Sequence, residues 1–102
     1  MQANSNTHRY SSITRFALGQ TYITPGAEEA LMIAGQKGIE FLRRHMSGDF
    51  GELADEDLRE NGLSLRKGFR VLSAYRTTKG QKLWIITEAD RSATTILLPS
   101  EY

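Results

Sequence analysis

From residue 69 onward the chain alternates apolar and polar positions in short runs bounded by turn residues. In "FRVLSAYR" (69–76), Phe69, Val71, Ser73 and Tyr75 share one face, and Arg70, Leu72, Ala74 and Arg76 share the other. A period of two is that of a strand. "KLWIITE" (82–88) is the most apolar run and predicts the central strand; "ATTILL" (93–98) predicts the last one, stopped by Pro99. The connections "TTKGQ", turning at Lys79-Gly80, and "ADRS" are too short for a parallel crossover, so the three strands form an antiparallel meander. An earlier run, "FALGQTYIT" (16–24), sets Phe16, Leu18 and Tyr22 against Ala17, Thr21 and Ile23. It predicts an N-terminal strand, with Gly19 as a bulge or a point of close backbone contact.

Between these strands the period changes. Thr24 suits a helix cap, Pro25 the first helical position, and Glu28 and Glu29 the positive end of the dipole. Ala27, Leu31, Ala34, Gly38, Phe41 or Leu42, and His45 then follow one helical stripe. Gly35 and Gly38 each weaken a helix interior by about 1 kcal/mol relative to alanine, which marks a break near Gly35. Arg43, Arg44 and His45 suit a helix C-terminus, and Ser47-Gly48 ends the segment. "GDFG" predicts a turn. "DEDLRENG" predicts a short helix, with Asp55 as its cap and Asn61-Gly62 as its terminating pair.

The sum is an α+β fold: an N-terminal strand, one or two helices, a short helix, then a three-stranded antiparallel meander, with the helical stripe on one sheet face. Residues 1–12, "MQANSNTHRYSS", read as a flexible arm, and residues 13–102 as a single α+β domain.

Composition narrows the classes. A chain of 102 residues supports one modest core. It contains no cysteine, which removes disulfide frameworks and thiolate metal sites and fits a reducing cytoplasm. No apolar run approaches the roughly 20 residues of a membrane span, and the polar start is no secretory signal. Net charge is +1, yet its distribution is uneven. Acids dominate from Glu40 to Glu60, and Arg66, Lys67, Arg70, Arg76, Lys79, Lys82 and Arg91 dominate the following stretch. Either the halves pair with each other inside the fold, or each presents its own potential to a partner, nucleic acid included.

Candidate chemistry is sparse. His8 and His45 have no partner at metal-ligand spacing, Asp55, Glu56 and Asp57 read as cap and dipole acids, and no phosphate-cradling glycine motif is present. Neither metal nor cofactor is expected. His45 and Asp49 lie four residues apart beside Arg44, a set from which a metal-free ribonuclease can be assembled and which also describes a structural His–Asp contact. Polar residues are set densely between two apolar runs in "WIITEADRSATTILLPSEY" (84–102). Asp90 can fix its turn by bonding the backbone two residues on, and Thr94 and Thr95 suit a strand, one of them half exposed. Glu88 and Arg91 are left without a folding role, with Trp84, Tyr75 and Tyr102 at hand as interface aromatics. The predicted binding residues are therefore Trp84, Glu88, Asp90 and Arg91, with Asp49 and Glu52 from the acidic half.

"ITPGAEEAL", "RHMSGDFGEL", "RVLSAY" and "LWIITEADRSATTILLPSEY" together carry the pattern R-H-x-x-G-D-[FW]-G followed by I-T-E-A-D-R-S-x-T-T. Over residues 22–102 the chain resembles a group of small proteins from bacterial plasmids, integrative elements and phage-like islands, with Phe50 where tryptophan is the expected residue. Some of that group are labelled restriction–modification subunits, but this chain has no asparagine/aspartate-Pro-Pro-aromatic motif and no room for a cofactor domain. The resemblance implies a mobile-element accessory protein. Such elements carry small inhibitors of restriction or CRISPR complexes, and also toxins. The leading expectation is a non-enzymatic protein that binds a protein partner in a nucleic-acid-processing complex; the alternative is a ribonuclease-like toxin.

Overall fold

The meander forms where alternation places it. The computed structural model describes residues 16–102, so the arm expected over residues 1–12 lies outside the described residues. The elements run β1 (Gln20–Ile23), α1 (Pro25–Ala34), α2 (Gly38–Ser47), α3 (Asp55–Lys67), β2 (Val71–Arg76), β3 (Lys82–Thr87) and β4 (Ala93–Leu97), closed by a 3-10 turn at Pro99–Glu101. They make an α+β fold with one four-stranded sheet in the order β1-β4-β3-β2. β3 is antiparallel to both its neighbours, and β1 joins β4 in parallel, with Thr21 opposite Thr94 and Ile23 opposite Ile96.

The long helical stripe is cut where glycine cost predicts. Gly35 adopts a left-handed backbone with φ 69° and ends α1, its N–H turned back to the Leu31 and Met32 carbonyls. Thr24 caps α1, accepting the Ala27 N–H at 3.3 Å, with Pro25 in the first turn. The Glu101 carboxylate adds to this cap from the far end of the chain, accepting from the Gly26 N–H at 3.0 Å, the Leu98 N–H at 2.8 Å and the Thr24 hydroxyl. That binding holds the Glu101 carboxyl below its usual range, the Thr24 hydroxyl being the main cause.

Ala27, Ala30 and Leu31 of α1, with Phe41 and Leu42 of α2, pack on Tyr75, Leu83, Ile85 and Ile96 and form the main core on one sheet face. A smaller cluster of Phe16, Phe50 and Val71, joined by Leu18, Met46 and Leu53, continues it. Gly19 sets the approach of the chain to β1. Its φ is +66°, and a Cβ there would stand 2.4 Å from the Arg91 and Ser92 carbonyl oxygens, so it is the close contact the sequence suggested. This positive φ also shifts the alternation. Phe16 and Leu18 pack with the core, whereas Tyr22 lies on the opposite sheet face.

The Asn61-Gly62 pair does not end a helix. α3 runs on to Lys67, and Asn61 is buried against the outer edge of β2. Its side-chain amide accepts the Leu72 N–H at 3.1 Å and donates to the Leu72 carbonyl, imitating a neighbouring strand. The next outward pair on that edge, at Ala74, receives the backbone of Phe50 at 3.1 Å and of Glu52. Gly51 allows this approach: with φ +74°, a Cβ would lie 2.1 Å from the Ala74 carbonyl oxygen. The β2 edge is thereby closed to other strands.

Candidate functional site

His45 sits on α2 with its ring fully buried above the sheet. Its Nδ1 meets the Ser73 hydroxyl and its Nε2 meets the Thr87 hydroxyl at 2.8 Å. Thr87 continues to Thr94 at 2.7 Å, and Thr94 donates to the Leu18 carbonyl at 2.7 Å. One end of this chain fixes all its directions. Thr94 has one proton and spends it on a carbonyl, so Thr87 must donate to Thr94. Thr87 then accepts from His45, which places the ring proton on Nε2 and leaves Nδ1 to accept from Ser73. The relay stitches α2, β2, β3, β4 and the segment before β1 through one unbroken polar path.

The His45 pKa falls from 6.5 to about 3, chiefly through burial and secondly through the positive charge of Arg91. Phe16 and Phe50 meet the ring edge-on at centroid distances of 5.1 and 6.2 Å and complete its apolar surround. Asp49 does not orient this imidazole, contrary to the spacing argument. Its carboxylate takes Arg44 in a two-point contact at 2.7 and 3.3 Å and the Gly51 N–H at 3.3 Å. The Arg44 hydrogen bond holds the Asp49 carboxyl below its usual range. The Arg44 guanidinium also lies over the Tyr75 ring at 4.5 Å. Tyr75 is itself buried and donates to the Asp49 carbonyl at 2.6 Å, so it is no surface aromatic. Thus the residues proposed for acid–base work divide between a dry, neutral core relay and an exposed ion pair.

The hairpin between β3 and β4 divides similarly. Asp90 accepts the Ser92 N–H at 2.9 Å, the turn role expected of it, and is exposed. Arg91 takes a left-handed φ of 61°. It turns its guanidinium back to the carbonyls of Phe69 at 2.6 Å and of Glu88 and Ala89 at 3.1 Å, with its centre 5.6 Å from the Phe16 ring. It braces the hairpin against residue 69. Glu88 is exposed, and its side chain makes no hydrogen bond or ion pair among the described residues. Glu52 pairs with Arg76 at 3.0 Å, a link between the acidic and basic halves.

Trp84 belongs elsewhere. Register places it with Leu72, Ala74, Ile86, Thr95, Leu97 and Tyr22 on the sheet face away from α1 and α2. Its ring meets Tyr102 edge-on at 5.7 Å, and Arg70 donates to the Tyr102 hydroxyl at 2.9 Å while lying over that ring. Arg70, Leu72, Trp84, Ile86 and Tyr102 line a cleft of about 210 Å³. It adjoins a second cleft of about 470 Å³ between α3 and the hairpin, whose walls include Asp57, Glu60, Phe69, Arg70 and Leu72. Phe69 is 54% exposed and Tyr102 68%. The structure therefore gathers Trp84, Tyr102, Arg70 and Phe69 with two acids of α3, and it does not add Arg91, Asp49 or Glu52 to them. Phe69 and Arg70 carried a signal at the sequence level, an exposed-face arginine next to an aromatic at a strand entry, but their neighbours come from distant elements.

Among the described residues no group of three or more histidine, cysteine or acidic side chains is placed to hold a metal, and no helix is long and apolar enough to cross a membrane. Comparison with protein-family models, curated proteins and solved structures gives no match.

Proposed function

We propose that the protein acts by binding, seating the groove of Phe69, Arg70, Trp84 and Tyr102 and the acidic wall of α3 on a basic surface of a partner protein. The groove is the observation that carries this: two aromatic side chains stay more than half exposed around an arginine. Tyrosine, tryptophan and arginine are the residues that dominate interface energies. Asp57 and Glu60, with Asp55 and Glu56 exposed in the first turn of α3, give the surface its sign. In the mobile-element setting that the resemblance implies, a basic partner surface belongs to a nucleic-acid-processing defence complex. An acidic face held in such a channel competes with phosphate, which is the physics of an anti-CRISPR or antirestriction inhibitor.

Direct nucleic-acid contact has less to draw on, because Arg44 and Arg76 are ion-paired and Arg91 is bound to carbonyls. The ribonuclease-like alternative loses support with His45 sealed in the core. The test is capture from a bacterial lysate. Immobilised wild-type protein retains one stoichiometric partner and releases it as salt rises, whereas a Phe69→Ser/Tyr102→Ser variant retains none. Equal capture by both proteins, or capture of nucleic acid alone, sinks the proposal. Growth arrest on expression, relieved by Arg44→Ala, would favour the toxin instead.

A further inference from the structure

The two edges of the sheet are treated oppositely. The β2 edge is closed by the Asn61 amide and by the backbone at residues 50 and 52. Among the described residues nothing covers the β1 edge in this way, and all four of its residues, Gln20, Thr21, Tyr22 and Ile23, are exposed. Edges left open in monomers are normally blunted by charge, proline or a bulge. β1 carries no charge and no proline.

We propose that two copies of the chain join edge to edge through β1, antiparallel, in the register that sets Tyr22 opposite Tyr22 of the second copy. The register follows from the hydrogen bonds already made. Gln20 donates inward to the Ser92 carbonyl at 3.0 Å and Thr24 to the Ile96 carbonyl at 3.0 Å. Inward bonding in a parallel ladder recurs at every second residue, so Gln20, Tyr22 and Thr24 face β4 while the N–H and C=O of Thr21 and Ile23 point outward. An antiparallel neighbour exchanges both bonds between the same two residues. Setting Thr21 opposite Ile23 of the second copy, and the reverse, satisfies all four outward groups of each chain. Tyr22 then falls on the two-fold as a non-hydrogen-bonded pair, the closest side-chain spacing an antiparallel sheet offers. The paired β1 strands themselves bring no like charges together.

The flanks favour the same occupant. Tyr22 is 56% exposed, and Ile23 and Ile39 stand open beside a shallow groove of about 250 Å³ that runs from β1 to α2. A second copy brings its own Tyr22, Ile23 and Ile39 to this seam, so apolar surface meets apolar surface. The two-fold is perpendicular to the sheet. It therefore carries both Trp84 faces to the same side of a continuous eight-stranded sheet, and the dimer presents two binding grooves in one plane.

Sedimentation equilibrium and cysteine cross-linking test this on the full chain. The chain lacks cysteine, so each introduced thiol is unique. Tyr22→Cys is expected to close a disulfide across the two-fold in air, since Cα atoms of a non-hydrogen-bonded pair lie about 4.5 Å apart. Gln20→Cys is expected not to, because its twin is about 13 Å away at roughly 3.3 Å per residue. Tyr22→Lys, at an exposed site, should raise the dimer dissociation constant about tenfold or more, and Tyr22→Glu likewise; mixing the two variants should restore the dimer. A wild-type chain that sediments as a monomer at every concentration overturns the proposal. So does equal cross-linking at positions 20 and 22. A monomer whose Thr21 and Ile23 amides resist hydrogen exchange would place another segment of the chain on this edge, and overturns it too.

Discussion

Lowering the pH from 7 to 4.5 should destabilise this protein through one side chain, His45. Well above pH 6.5 its imidazole is neutral in both folded and unfolded chains. Between 6.5 and about 3 the unfolded chain takes up a proton that the folded chain refuses, because burial and Arg91 oppose the charge. The unfolded state then binds more protons, so stability falls as pH falls across this window. Integrated over the shift, the loss is about 2 kcal/mol by pH 5, about 4 kcal/mol at pH 3, and about 5 kcal/mol well below it. Asp49, Asp90 and Glu101 are likewise held below their usual values, so their contributions are also lost as pH falls, but in a lower window that opens only at the ordinary carboxylate range. Among the described residues the interval from 6.5 to about 5 therefore belongs to His45. Urea midpoints at half-unit pH steps measure it, with His45→Gln as the variant that cannot titrate. The wild-type curve should slope and the variant curve should not. Nitrogen chemical shifts of the ring should show the proton on Nε2, with no titration above pH 4. A flat wild-type curve, a slope kept in His45→Gln, or a proton on Nδ1 would refute the relay.

Replacing Asn61 by leucine should cost about 1–3 kcal/mol in urea unfolding, since it strands the Leu72 N–H and carbonyl on the β2 edge. Gly62→Ala, next to it, should instead stabilise by about 1 kcal/mol, because Gly62 lies inside α3 with nothing within 4 Å of an added Cβ; a loss there would mean that α3 ends at that glycine. Gly51→Ala should cost about 2 kcal/mol or more, its Cβ having no room against the Ala74 carbonyl at a positive φ. An unchanged urea midpoint would mean that the approach of residues 50–52 to β2 is looser than it stands here.

The parts of the fold legible in the sequence are those written locally. Alternation gave β2, β3 and β4, short turns gave their antiparallel order, and the helix cost of Gly35 gave the division into α1 and α2. Signals that serve two purposes misled. Asn-Gly is a common helix ending, but the same asparagine amide also imitates a strand, and only the position of Leu72 decides between the two. Long-range pairings left no local trace: His45 reaches Ser73 and Thr87, and β1 lies parallel to β4, some seventy residues on. Of the threonine pair, Thr94 is core and Thr95 half-buried, as alternation expects, and Thr87 is core as well. Trp84 and Arg91, close in sequence, part ways because Trp84 lies on the sheet face away from α1 and α2 while the left-handed backbone at Arg91 turns its guanidinium back to the carbonyls of the hairpin and Phe69. The aromatic groove needed Arg70 and Tyr102 to meet across 32 positions.

Trp84 is the only tryptophan, and it lines the groove, so its emission reports occupancy directly. The measurement is a fluorescence titration of the full chain at low and high salt with an arginine-rich peptide, a glutamate-rich peptide and single-stranded RNA. Binding through the groove and its acidic wall predicts a saturable change with the arginine-rich peptide alone, weakened by salt and lost in Phe69→Ser. A response to RNA with silence toward the arginine-rich peptide would contradict it.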